Sequence, residues 1–203
     1  MIKVGLTGNF GSGHRDIVKH FYESGTPVFD ADLLIKFLIN HQKDTKHKIK
    51  ETFGPNTYTY DTLNILKFDT VQKFDKLLNV ITPEIFAAYE KFRRKKTNFP
   101  YTIFLSSVLF EKKWNLYMNY NVNVFKPDAI RKKWLLSKTD IDISMIEHIL
   151  ENEMPERHKN SKSNFVLHNY GEHNSDFKIK NEICQIHSNI IRHCANIDYQ
   201  KTF

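Results

Sequence analysis

Cysteine is scarce in this 203-residue chain: Cys184 and Cys194 are the only two, which excludes a disulfide scaffold and suits a reducing cytoplasm. Long apolar runs are also missing. No stretch approaches the roughly 18 residues needed to span a bilayer. "MIKVGLTG" passes straight from strand to turn, so no signal peptide and no membrane partner are expected, and the chain is placed in the cytoplasm. No internal repeat and no low-complexity linker breaks it up, which leaves one large domain or a core with a small lid. Zinc-finger spacing and aromatic-bearing RNA signatures are absent as well.

What is present leans basic. Thirty Lys and Arg stand against 23 Asp and Glu, a formal charge of +7, which favours anionic partners such as nucleotides, CoA-like cofactors or nucleic acid. "KFRRKK" (Lys91 to Lys96) is the densest run. A solvated helix end accounts for it, with a nucleic-acid or protein partner on a basic surface as the alternative. Ten histidines raise the question of a metal. Cys184, His187 and Cys194 share a face of the last helical stretch, yet His187 and Cys194 are about 10.5 Å apart along the axis. One zinc with ligands about 2.0–2.3 Å away cannot bridge that. The face also carries Ile183, Ile186 and Ile190, so core packing accounts for it and no metal site is expected.

Strand and helix patterns alternate along the chain. "IKVGLT" is a short β-rich run, followed by a glycine turn and a helix on which Ile17, Val18, Phe21 and Tyr22 recur with helical spacing, ending at Gly25. "TPVFDAD" is a second strand ending in acids, and "LLIKFLINHQ" through "KIKETFG" is helical. "DTLNILKFD" to "AAYEKFRRKK" supplies two more helical stretches. "FPYTIFLSSVLFE" is the clearest buried strand, and "YNVNVFK" is another. "DAIRKKWLLSKTD" and "DISMIEHILENEM" form a helical pair, "SNFVLHN" a last strand, and Asp176 to Cys194 a last helix. Such alternation predicts an α/β fold with a central parallel sheet flanked by helices. Ligands in such sheets bind beyond the carboxyl ends of the strands, where the glycine loop, Asp30, Asp32 and Glu111 all fall.

"GLTGNFGSGHRDIV" carries the chemistry. Gly8, Gly11 and Gly13 let the backbone wrap an anion, with N–H groups and a helix N-terminus pointing inward. A tight turn at any strand–helix junction uses the same residue types; the amphipathic helix after it and the two aspartates ending the next strand favour a nucleotide-type site. A carboxylate such as Asp32 beside the phosphates can orient or deprotonate a ribose hydroxyl. Its plainer role is an Asx-type cap for a helix beginning near Leu33. Trp114 and Trp134 sit beside lysines and serve either to stack on a base or to anchor a helix.

The sequence resembles the dephospho-CoA kinases, P-loop enzymes of CoA synthesis, over about 1–171. "IKVGLTGNFGSG" is similar to their opening and "SGTPVFDADLL" to their strand and Asp-Ala-Asp motif. "ETFGPN", "VITPEIF", "LSSVLFE" and "ENEMPERHKNSKSNFVLHNYG" are similar to four further family segments. The resemblance implies a single P-loop kinase-like domain over 1–203, with a helical substrate-binding insertion at about 33–97 and a lid at about 127–160. It implies that the backbone from Gly8 through Ser12 to Gly13 holds ATP phosphates, with His14, Arg15 and Asp16 beside them. It implies Asp32 as general base, Asp30 as the first acid of that motif, Asn169 near the adenine, and Arg131 or Lys138 as the lid cation. ATP and Mg²⁺ are the implied cofactors.

Departures from the family weigh against turnover. His14 stands in place of the loop lysine, whose ammonium would reach the β- and γ-phosphates as a fixed charge; imidazole is shorter and mostly neutral near pH 7. Arg15 replaces the hydroxyl expected to bind Mg²⁺ and cannot coordinate metal. Asp16 either holds a displaced Mg²⁺ or favours the helix N-terminus. Thr82, Ser107 and His168 replace a histidine, a proline and an aspartate of the family pattern. Losing one preorganised charge stabiliser costs about 10²–10³ in rate, though losses within one site do not add simply. Three functions remain open: a kinase with a reworked loop, an inactive relative that binds nucleotide or a CoA-like ligand as a regulator, and a structural protein acting through its basic surface.

Overall fold

The computed structural model describes the chain except residues 61, 65–69, 138–149, 151–152, 172–174 and 201–203, and except the side chains of 71, 175–176 and 194–200. The order begins β1 (Ile2–Thr7), α1 (His14–Glu23), β2 (Val28–Asp30), α2 (Ala31–His41), α3 (Lys43–Phe53), β3 (Tyr58–Thr59), β4 (Thr62–Leu63) and α4 (Val71–Arg94). It continues with β5 (Tyr101–Leu105), β6 (Tyr120–Phe125), α5 (Asp128–Leu136), α6 (Glu156–Lys162), β7 (Phe165–His168) and α7 (Ser175–Gln200). The chain divides into two compact units, Met1–Phe29 with Lys96–Phe203, and Asp30–Lys95. No helix among the described residues is long and apolar enough to cross a membrane.

The first unit is built on a five-stranded sheet in the order β2-β5-β1-β6-β7. β1 runs parallel to both β5 and β6, and β6 to β7, as the alternating pattern predicts. Successive strand residues face opposite sides. Ile2, Val4 and Leu6 share one face with Ile103, Leu105, Val122 and Val124, packed under Ile17, Val18 and Phe21 of α1 and Ile179, Ile183, Ile186 and Ile190 of α7. Each fully buried aliphatic of this set contributes about 1.5–3 kcal/mol. At the alternate positions Phe104 meets Trp114 edge-on at 5.9 Å, and Asn123 Nδ2 donates to Glu156 Oε2 at 3.1 Å and Asn160 Oδ1 at 2.7 Å. Gly5 lies on that side because a Cβ there would stand 2.7 Å from Leu109 Cδ2 and 2.9 Å from Asn121 Oδ1.

In the second unit α2, α3 and α4 pack on one another, burying Leu38, Ile39, Ile49, Leu77, Leu78 and Ile81. One sequence expectation is not met in this unit. The first part of "DTLNILKFD" is not helical: Thr62–Leu63 pairs antiparallel with Tyr58–Thr59, turning at Tyr60 with φ 46°. Aromatic and β-branched residues suit a strand, and Tyr58 Oη donates to Ile39 O at 2.9 Å, tying the hairpin to α2. Beyond the hairpin, the unit ends in one 24-residue helix, α4, capped by the Thr70 hydroxyl.

Candidate nucleotide site

The loop between β1 and α1 belongs wholly to the first unit. Ser12 N–H donates to Asn9 O at 2.9 Å, and Asp16 and Ile17 N–H donate to Gly13 O at 3.0 Å. Those bonds close a turn and start α1, with Gly13 as its N-cap at φ 83°, ψ 17°. Gly11 also has a left-handed φ of 82°, which a side chain rarely adopts. The N–H groups of Gly11, Gly13 and His14 have no acceptor among the described residues. Three unpaired donors therefore lie in the turn and at the N-terminus of α1, where such groups can take an anion.

Long-range contacts hold the loop in this shape. Arg131, only 3% exposed, donates from Nη1 to Phe10 O at 3.1 Å and from Nη2 to Asp128 Oδ1 at 2.9 Å, and pairs with Glu153. Glu153 also accepts from the Phe10 N–H. Burial works against the guanidinium charge, but Glu153 and Asp128 more than offset it and raise the pKa above the ordinary arginine value. Asn9 Nδ2 donates to Met154 O at 3.1 Å. Asn169 Nδ2 donates to Ser12 O at 2.8 Å, while its own N–H donates to Phe125 O. Arg131 and Asn169 therefore brace the loop backbone in this structure, and Lys138 lies outside the described residues.

The loop's side chains divide sharply. His14 is 7% exposed; its Nδ1 lies 3.1 Å from Ser12 Oγ, and Nε2 is buried with no partner among the described residues. Burial, then the charges of Arg15 and Lys159, lower its pKa to about 4 against a small opposing effect of Asp16. It is a neutral imidazole facing inward. Arg15 and Asp16 are exposed, and Asp16 pairs with Lys19 at 2.7 Å. Lys159 is buried and paired with Glu111 at 2.8 Å. The described residues hold no cluster of three or more His, Cys, Asp or Glu that could bind a metal. His187 Nδ1 lies 2.8 Å from the Tyr101 hydroxyl.

Lys126 is a residue the loop pattern did not reveal. It follows β6 directly, and its ammonium lies 4.0 Å from where a Gly13 Cβ would be and 5.7 Å from the centre of the Trp134 ring. Its signal in the sequence is its place directly after a strand, at the rim where the loop and the acids also fall. Glu153, Asp128 and Met154 carry no local signal at all.

In the second unit, Asp30 rather than Asp32 caps α2. Asp30 has extended backbone angles (φ −89°, ψ 99°), so its Oδ1 accepts from Leu33 N–H at 2.9 Å. Asp32 lies one residue into the helix, half-buried on its first turn.

The family model described as CoaE, dephospho-CoA kinase, matches residues 2–175. A dephospho-CoA kinase from Salinibacter ruber is 25% identical over 179 residues, covering 84% of this chain and 90% of its own. One from Fusobacterium nucleatum is 24% identical over 188 residues, covering 90% and 96%. Among solved structures, TT1252 from Thermus thermophilus superposes with a TM-score of 0.76 at 22% identity, covering 91% of this chain and 95% of that one. Dephospho-CoA kinase from Campylobacter jejuni gives 0.54 at 15% identity, covering 93% and 96%.

Proposed function

The chain belongs to the dephospho-CoA kinase family, and from that premise we propose that it binds ATP at the Gly8–His14 loop and phosphorylates dephospho-CoA slowly. The observation that carries this reading is the set of unpaired N–H groups of Gly11, Gly13 and His14, which hold phosphate oxygens whatever the side chains are. The acceptor is the 3′-hydroxyl of dephospho-CoA or of a related nucleotide. Asp32 takes its proton as the oxygen bonds to the γ-phosphorus, and the bond from that phosphorus to the β-phosphate oxygen breaks to release ADP. Asp30 holds Asp32 in place through the cap of α2. Asn169 and Arg131 keep the loop backbone in its phosphate-binding form. The helical insertion at about 33–97 is assigned to the acceptor, and the segment at about 127–160 to a lid.

Metal is a different matter. Position 15 offers a guanidinium instead of a hydroxyl, and the Ser12 hydroxyl is engaged with His14. The loop therefore does not fit a Mg²⁺ ion, and no step is assigned to one. A neutral His14 supplies no charge to the transferring group either, so turnover is expected to fall well below that of a lysine-bearing loop, by about 10²-fold or more.

Chromatographic detection of 3′-phosphorylated product from ATP and dephospho-CoA tests the reading. Product should form slowly with the native chain, and Asp32→Asn should lower kcat a further 10²-fold or so. ATP-dependent thermal stabilisation without product would favour the second reading, a nucleotide-binding regulator, which the inward-facing His14 supports. Absence of stabilisation by ATP, dephospho-CoA and CoA alike would remove both.

A further inference from the structure

Lys126 is 7% exposed, yet no carboxylate pairs with its ammonium among the described residues. Its neighbours are the Gly13 end of the loop, 4.0 Å away at the Cβ position, and the face of Trp134. Burial pushes its pKa below the ordinary lysine value, with only the charge of Asp16 opposing. An unpaired buried cation is unfavourable unless something anionic completes it. The anion-shaped concavity beside it is the set of N–H groups of Gly11, Gly13 and His14. The other buried lysine, Lys159, is already paired with Glu111.

We infer that Lys126 is the phosphate-binding lysine of this protein: entering from the end of β6, it puts on the nucleotide's phosphate chain the ammonium that position 14 lacks. The inference rests on the nucleotide-binding reading above and deepens it. A lysine at position 14 would rise from the loop itself; here the charge reaches the same helix N-terminus from the neighbouring strand. The face of the Trp134 ring, 5.7 Å from the ammonium, helps to hold it beside the turn until the ligand arrives.

Calorimetric titration of the full chain and of Lys126→Met with ATP, and with adenosine as the phosphate-free probe, tests this. The substitution should weaken ATP about ten- to hundredfold, leave adenosine unchanged, and leave the Tm of the ligand-free protein equal or higher, since an uncompensated charge has gone. Lys126→Arg should keep most of the ATP affinity. Native protein that binds ATP with an affinity Lys126→Met does not alter overturns the inference and leaves the kinase reading standing. So does a lower ligand-free Tm with the ATP affinity retained, because Lys126 is then only a tether for Trp134. Native protein that binds no ATP removes both. If Lys126→Met does not fold, Lys126→Arg against Lys126→Gln decides: affinity kept by the first and lost by the second is expected, and equal affinity overturns it.

Discussion

The imidazole of His14 takes up a proton far less readily in the folded protein than in an open chain, because burial and the charges of Arg15 and Lys159 lower its pKa from 6.5 to about 4. Between those values the unfolded chain binds the extra proton, so the stability is present in full above about pH 6.5 and is lost as pH falls towards 4. The shift corresponds to about 3 kcal/mol. Urea denaturation at pH 7 and pH 4.5 should show a larger loss for the native chain than for His14→Gln; equal losses would refute the assignment. The same burial bears on restoring the missing lysine. His14→Lys would place an ammonium in a buried slot already under the charges of Arg15 and Lys159, and should cost about 2 kcal/mol or more in denaturation midpoint analysis without raising the rate of phosphoryl transfer.

Helix starts and the long-range braces on them set the stability of whole elements. Asp30 is the cap of α2, so Asp30→Ala should lower stability by about 1 kcal/mol in equilibrium unfolding while Asp30→Asn keeps most of it. A larger effect is expected at the loop brace. Arg131→Met leaves the carboxylate of Glu153 buried without its cation and should cost about 3 kcal/mol or more. Adding Glu153→Met should recover part of that loss, a coupling that a double-mutant cycle measures directly. Additive single effects would mean that the pair does not act as a unit. Gly13→Ala is forbidden on two counts, a φ of 83° and a Cβ that would collide with Asn169 Nδ2. It should abolish ATP binding by thermal shift even if the sheet survives.

At the scale of the molecule, parallel strands bring the loop after β1, Lys126 after β6 and Asn169 after β7 to the carboxyl rim of one sheet. The net charge of +7 adds a long-range attraction for polyanions. ATP association should therefore slow as ionic strength rises from about 20 to about 300 mM, roughly the range over which screening lengths fall below 10 Å. A stopped-flow rate indifferent to salt would show that the basic residues do not steer the ligand.

Local patterns made much of this legible beforehand. The apolar run of β5, the 3.6-residue spacing on α1 and the glycines at 11 and 13 each encode their structure within a few residues, because strand burial, helix amphipathicity and positive φ are local properties. Where a local pattern served two structures equally, it misled: "DTLN" suits either a helix or half of a hairpin, and Tyr58 bonding to Ile39 chose the hairpin. The choice of Asp30 over Asp32 as cap turned on one residue's backbone angles. Which side chains would serve the loop was decided only in three dimensions. Glu153 and Arg131 grip Phe10 across more than a hundred residues, His14 turns inward, and Lys126 arrives from another strand. Sequence by itself determined a parallel sheet with a glycine turn at its rim, since those follow from local backbone preference. Tertiary structure alone decided where the positive charge beside that turn comes from, since contacts between distant segments leave no periodic trace along the chain.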